Sequence, residues 1–166
     1  MILKKNQGYT LAELMVVGGI IAILAVFAVP AFKTWARNWE LRGEVRALAS
    51  NMQLARLEAV KRKATAGIVF VTTANGLTMG GSYQIYVDNN RNGMWDAGEE
   101  ISGKSVARSV ALYGSTWGAG VRFDTQGLAN GSGSVRLANR SPLYYKISVS
   151  NSGNIRVEKS GDEGAI

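Results

Sequence analysis

From Leu14 to Phe32 the chain carries no charged residue, and this run limits what the chain can fold into more than any other feature. As a helix it is nearly long enough to cross roughly 30 Å of hydrocarbon. Leu14, Val17, Ile21, Leu24 and Ala28 recur at spacings of three and four, while Met15, Val16, Ile20, Ile23 and Val26 fill the other faces. A helix that is apolar all round belongs in lipid or in the centre of a bundle. Lys4 and Lys5 precede the run, which directs the N-terminus to the cytoplasm and the remainder to the far side of the membrane. A secretory signal peptide shares this order, but its apolar core is shorter and ends at a small-residue cleavage site. Here the run continues into helical sequence, so retention in the membrane is expected. Gly18, Gly19 and Pro30 mark points where the helix can bend or open. Glu13 stands just inside the apolar boundary, where a carboxylate is costly unless paired and is a functional candidate by default.

Beyond the run, the 166 residues suffice for one modest domain. The formal charge of +7 suits anionic lipid, nucleic acid or an acidic neighbour without choosing among them. Cysteine and histidine are both absent, which removes thiol chemistry, thiolate metal sites and the usual general base of hydrolases. No nucleophile motif organises the serines, lysines and acids, so an enzyme is not expected.

Past Phe32 the pattern becomes amphipathic. Leu41, Val45, Leu48, Met52, Ala55 and Ala59 alternate at four and three residues, with Arg37, Glu40, Glu44, Arg56, Glu58 and Arg62 off that stripe, as in a helix with one packed face. Joined to the apolar run this predicts a helix of roughly 80 Å, its second half packed on a head and its first half protruding. Trp35 and Trp39 suit the headgroup zone or the space between neighbouring stems, and Lys61, Arg62 and Lys63 suit a helix C-terminus. Strands are predicted at Ile68–Val71, Tyr83–Val87, Val106–Leu112, Val121–Phe123, Val135–Leu137, Tyr144–Val149 and Ile155–Val157, between glycine, asparagine and serine turns. The expected fold is α+β, a long N-terminal helix backed onto a twisted antiparallel sheet.

Asp88 to Glu99 has the spacing of a calcium loop, with Asp88, Asn90, Asn92, Met94 (through its carbonyl), Asp96 and Glu99 as the candidate ligands and Gly93 at the sharp reversal. A hard cation asks for six to eight oxygens, which this order supplies. The alternative is an Asx-rich loop with solvated carboxylates, since no helix pattern flanks it.

Gln7-Gly8-Tyr9-Thr10-Leu11-Ala12-Glu13-Leu14-Met15-Val16-Val17, with two lysines before it and Pro30 after it, resembles the class III signal of type IV prepilins and type II secretion pseudopilins. The resemblance implies a leader of residues 1–8 removed by a prepilin peptidase between Gly8 and Tyr9, and N-methylation of Tyr9. It also implies a membrane and assembly half over 9–32, an amphipathic half over 33–63 and a β-rich head over 64–166. Glu13 would recruit the subunit by pairing with the positive N-terminus of a neighbour. The segments Leu54 to Arg62, Asp88 to Glu99, Val121-Arg122-Phe123-Asp124 before Gly127, and Ser150 to Ile155 resemble the GspH/FimT group of minor pseudopilins and minor pilins. That group implies a subunit stored in the inner membrane with its head in the periplasm. Its partners would be other pilins or pseudopilins in a secretion pseudopilus or a type IV pilus. Some minor pilins of the FimT kind bind DNA through an arginine-containing C-terminal turn; the matching segment is Gly153-Asn154-Ile155-Arg156, which makes Arg156 the candidate nucleic-acid contact.

Overall fold

The computed structural model describes residues 9–93, 95–118, 120–140 and 143–160; the leader with Gly8, and Met94, lie outside them. One helix, α1 (Leu11–Arg62), is followed by β1 (Ala66–Val71), β2 (Ser82–Val87), β3 (Glu100–Ser105), β4 (Ala111–Tyr113), β5 (Gly120–Phe123), β6 (Gly133–Ala138), β7 (Tyr144–Val149) and β8 (Ile155–Ser160). The helix runs unbroken through Gly18, Gly19 and Pro30, with Thr34 Oγ1 donating to the Pro30 carbonyl at 3.2 Å. Two compact units divide within α1, one reaching Ala36 and the other starting at Arg37.

In the first unit nothing is buried along the apolar run, whose mean hydropathy reaches 2.6 over a stretch long enough to cross a membrane. Phe32 and Trp35 lie with ring centres 5.6 Å apart.

In the second unit the six predicted stripe residues, Leu41, Val45, Leu48, Met52, Ala55 and Ala59, are all buried. They join Ile68, Ile85, Val121 and Phe123 on one side and Val135, Leu137, Ile147 and Val149 on the other in a single apolar cluster. Burying each larger side chain contributes roughly 1.5–3 kcal/mol. Polar residues flanking the stripe fix the helix on the strands: Asn51 Nδ2 donates to Tyr83 Oη at 2.8 Å, Lys104 Nζ meets Glu44 Oε2 at 2.7 Å, and Asn139 Nδ2 donates to Asn38 Oδ1 at 2.9 Å. The helix ends with Lys63 at φ 51° and Ala64 N–H on the Ala59 carbonyl at 3.3 Å, a left-handed C-terminal cap that closes orphan carbonyls.

The strands form two four-stranded antiparallel sheets, in the orders β3-β2-β1-β5 and β4-β6-β7-β8, where the sequence predicts one. The β1–β2 connection bridges them: Thr73 N–H donates to the Leu112 carbonyl at 2.8 Å and Gly80 N–H to the Val110 carbonyl at 2.7 Å. The predicted strand Val106–Leu112 shrinks to β4, because Ala107 to Val110 turns on a 2.9 Å hydrogen bond that presents Val106 and Val110 to the core without extended backbone. β3 has no counterpart in the prediction. Every one of its residues is exposed, so pairing with β2 at a sheet edge, not apolar alternation, makes it a strand.

Candidate functional site

Two predicted sites can be built up residue by residue, one at the start of α1 and one in the loop between β2 and β3.

At the helix start, Thr10 N–H donates to Glu13 Oε2 at 3.0 Å and Thr10 Oγ1 to the same oxygen at 3.1 Å. In return, Glu13 N–H donates to Thr10 Oγ1 at 3.2 Å. This is a capping box, in which a threonine before the first turn and a glutamate three residues on satisfy each other's amides. The order Thr-x-x-Glu before an apolar run carries that signal in the sequence, and reading Glu13 only as a partner for a neighbouring subunit misses it. Tyr9 precedes the cap with its side chain exposed. Glu13 therefore anchors its own helix end through Oε2, and among the described residues no hydrogen bond to its second oxygen, Oε1, is seen.

The Asp88–Glu99 loop folds inward on its acids. Asp88 and Glu99 are buried. Asn92 N–H donates to Asp88 Oδ1 at 3.1 Å and Gly93 N–H to Asp88 Oδ2 at 2.8 Å, with Gly93 at φ 76°, where glycine alone is unstrained. Glu99 Oε1 accepts Asn89 N–H at 2.9 Å and Asn90 N–H at 3.3 Å, and Glu99 Oε2 accepts Asp96 N–H at 3.1 Å. Asn90 Nδ2 and Asn92 Nδ2 converge on Asp96 Oδ2 at 2.7 Å and 2.5 Å. Of the six candidate ligands, Asp88 and Glu99 are buried, Asp96 is half-buried, Asn90 and Asn92 lie exposed with their amides on Asp96, and Met94 lies outside the described residues. Among the described residues no group of three or more acids stands close enough to hold a metal ion by itself. A calcium ion fits this donor set only if the asparagines contribute amide oxygens beside two carboxylates; both Asp88 oxygens and Glu99 Oε2 keep a lone pair beyond their one amide contact, whereas Glu99 Oε1 accepts two.

Arg156 lies exposed on β8. Cross-strand register sets Arg136 opposite Lys146, Lys146 opposite Glu158, and Ser148 opposite Arg156, so Arg136, Lys146 and Arg156 share the outer face of one sheet. Lys146 Nζ is 3.8 Å from Glu158 Oε2.

One further contact unites segments far apart in sequence. Arg56 Nε donates to the Gly127 carbonyl at 3.0 Å and Arg56 Nη2 to the Ser152 carbonyl at 3.3 Å. The helix end, the turn after β5 and the β7–β8 turn are therefore clasped by one guanidinium. These are three of the head segments that carry the resemblance noted above, and no local pattern in the sequence announces that they meet.

The chain matches the family described as Type II transport protein GspH over residues 44–153. It belongs to the GspH family. The pilin-like protein PilA1 of Thermus thermophilus is 34% identical over 128 residues, which span 76% of this chain and 72% of that protein. The fold is shared with solved structures. The type IV minor pilin FimU of Pseudomonas aeruginosa aligns with a TM-score of 0.54 at 17% identity, covering 73% of this chain and 90% of that one. The minor pseudopilin EpsH from the Type 2 Secretion System of Vibrio cholerae aligns at 0.51 and 10% identity, covering 74% and 99%. Like these GspH-family and pilin-like relatives, the chain is a filament-type subunit and not an enzyme.

Proposed function

We propose that this GspH-family chain is a minor subunit that joins or initiates a type II secretion pseudopilus or a type IV pilus. One observation carries the proposal: the apolar first part of α1 buries none of its residues within the chain. Such a surface demands apolar surroundings, supplied by lipid before assembly and by the stems of other pilins or pseudopilins afterwards. On this reading the inner membrane holds the helix and the head lies in the periplasm, in the sense set by Lys4 and Lys5. A prepilin peptidase cuts between Gly8 and Tyr9, and Tyr9 is N-methylated. Sequencing the N-terminus of the protein recovered from native membranes is expected to begin at Tyr9, and a start at any other residue overturns the processing step.

The Asp88–Glu99 loop we read as a calcium site of the head. Asp88 and Glu99 would supply the charge and Asn90 and Asn92 the neutral oxygens, once their Nδ2 groups release Asp96. Extracellular modules of this chemistry bind at about 0.1–1 mM. Calcium at 10 mM then stabilises the fold by about 1.4–2.7 kcal/mol. For a unit of this size that raises Tm by several degrees. Differential scanning calorimetry with and without the ion is the check, and Asp88→Asn is expected to abolish the rise. An unshifted wild-type melt leaves a loop closed by its own hydrogen bonds alone.

A DNA role rests only on the shared charge of Arg136, Lys146 and Arg156, which phosphate contacts can use. The subunit reading is preferred because it accounts for the helix as well as the head.

A further inference from the structure

The outer face of the β3-β2-β1-β5 sheet is not bare. Register places Tyr86, Gly67 and Arg122 side by side across β2, β1 and β5. A Cβ on Gly67 would stand 3.1 Å from the Tyr86 hydroxyl, so the phenol ring lies over the glycine and points along the row toward Arg122. Above this row the calcium-type loop folds down, with the Arg122 guanidinium donating to the Gly93 carbonyl. Trp117 closes the other side. It stacks on Phe70 with ring centres 6.1 Å apart, and its Nε1 donates to the Gly131 carbonyl at 3.3 Å.

Between these elements lies a cleft of about 310 Å³ lined by Val69, Tyr86, Trp95, Trp117, Arg122 and Asn130. This volume falls at the lower end of small-ligand sites. Tyr86 is 2% exposed, yet its hydroxyl makes no hydrogen bond among the described residues. Burial pushes that phenol up from its usual range, which keeps it a donor. Asn130 Oδ1 is occupied by Arg122 N–H at 2.9 Å, leaving its Nδ2 to donate. Arg122 has no carboxylate partner among the described salt bridges. The nearby acids, Asp88 and Glu99, turn their oxygens to loop amides; their charge still reaches the phenol and is opposed there by Arg122. The polar lining is thus a phenol, an amide and a guanidinium, all donors, set between two indoles.

The Tyr86 hydroxyl lines the cleft beside the Arg122 guanidinium, so an acceptor entering the cleft meets a neutral and a charged donor together. We propose that the cleft binds a carboxylate joined to an apolar or aromatic group, with the carboxylate on Tyr86 Oη and Arg122 and the apolar part between Trp95 and Trp117. A small organic acid and the C-terminus of a polypeptide share this chemistry. Trp95 completes one wall from within the Asp88–Glu99 loop, so the loop shapes the cleft whether or not it holds an ion.

The test uses the full chain in detergent micelles and does not depend on filament assembly. N-acetyl-L-phenylalanine is titrated while the indole N–H resonances of the protein are followed, and N-acetyl-L-phenylalaninamide serves as the uncharged control. Saturable binding of the acid is expected, with perturbation of Trp95 and Trp117 resonances and affinity about tenfold above the amide. Tyr86→Phe keeps the ring over Gly67 and is expected to melt like wild type but bind the acid about tenfold more weakly. Trp95→Ala, at an exposed position, is expected to weaken binding as well. Equal affinity for acid and amide, no saturation at millimolar acid, or undiminished binding by Tyr86→Phe each overturns the proposal. A third probe, acetyl-Gly-Gly-Phe with a free C-terminus, distinguishes the sources: tighter binding than the single residue points to a polypeptide end, and equal binding to a small acid.

Discussion

Glu13→Gln is expected to leave a protein that is still cut before Tyr9 and still held in the membrane, yet is depleted at least about tenfold from purified filaments or from complexes with other subunits. The substitution is informative because of the capping box. Glutamine can still accept the Thr10 amide as glutamate does, so the helix start survives while the charge is lost. Glu13→Ala removes both, and Thr10→Ala loosens the cap while leaving the charge. If Glu13 serves assembly by pairing with the amino group of a neighbour's Tyr9, both Glu13 variants fail to assemble and Thr10→Ala assembles. In a bundle of apolar helices such a pair sets axial register, which featureless apolar packing leaves free to slip. Normal incorporation of Glu13→Gln, with failure of Glu13→Ala and Thr10→Ala, would instead assign the residue to its own helix end. Subunit pull-down from membranes and filament shearing read the outcome directly, and membrane retention controls for loss of the anchor.

Gly153→Ala is expected to be strongly damaging to the head, lowering stability by about 3–4 kcal/mol and Tm by ten degrees or more. Two costs combine. Gly153 sits at φ 75° in the β7–β8 turn, which is strained for any residue with a Cβ. That Cβ would also fall 2.1 Å from the Gly127 carbonyl oxygen and 3.0 Å from Arg56 Nε. Backbone cannot yield there without releasing the Arg56 clasp on Gly127 and Ser152. Gly98→Ala is the control. It has φ 95° but open space around its Cβ, so it meets only the backbone term, about 1 kcal/mol. Thermal melts of the two variants beside wild type are expected to separate by several degrees. Similar losses from both would show that the close approach at Gly153 is relieved at little cost.

Local chemistry was sufficient for the parts of the fold that answer to a short period. The uncharged run from Leu14 to Phe32 and the stripe from Leu41 to Ala59 were legible because a helix repeats its surroundings every 3.6 residues. All six stripe residues are buried where that period places them. The strands at β1, β2, β5, β6, β7 and β8 were legible because branched and aromatic residues alternate between turn residues. Glu13 stood out because a carboxylate beside lipid is costly whatever the tertiary structure. The spacing of Asp88 to Glu99 marked a loop of oxygen donors but left open whether its carboxylates face inward or solvent; Asp88 and Glu99 are buried.

Tertiary structure decided whatever depends on a partner distant in the chain. β3, with Ile101 its one large apolar residue, is a strand because β2 offers an edge. The strands divide into two sheets that the β1–β2 connection bridges by bonding to β4, pairings that no window of sequence spans. Arg56 reads as an ordinary solvated charge on a helix until Gly127 and Ser152 are seen beneath it. The Tyr86 hydroxyl reads as a satisfied core tyrosine until the sheet sets it beside Arg122 and the loop roofs it over. Short-range periodicity records only which face of an element turns inward. The partner that the inward face or the hydrogen-bonding edge meets is set by chain folding over tens of residues, and there the sequence has no repeat to read.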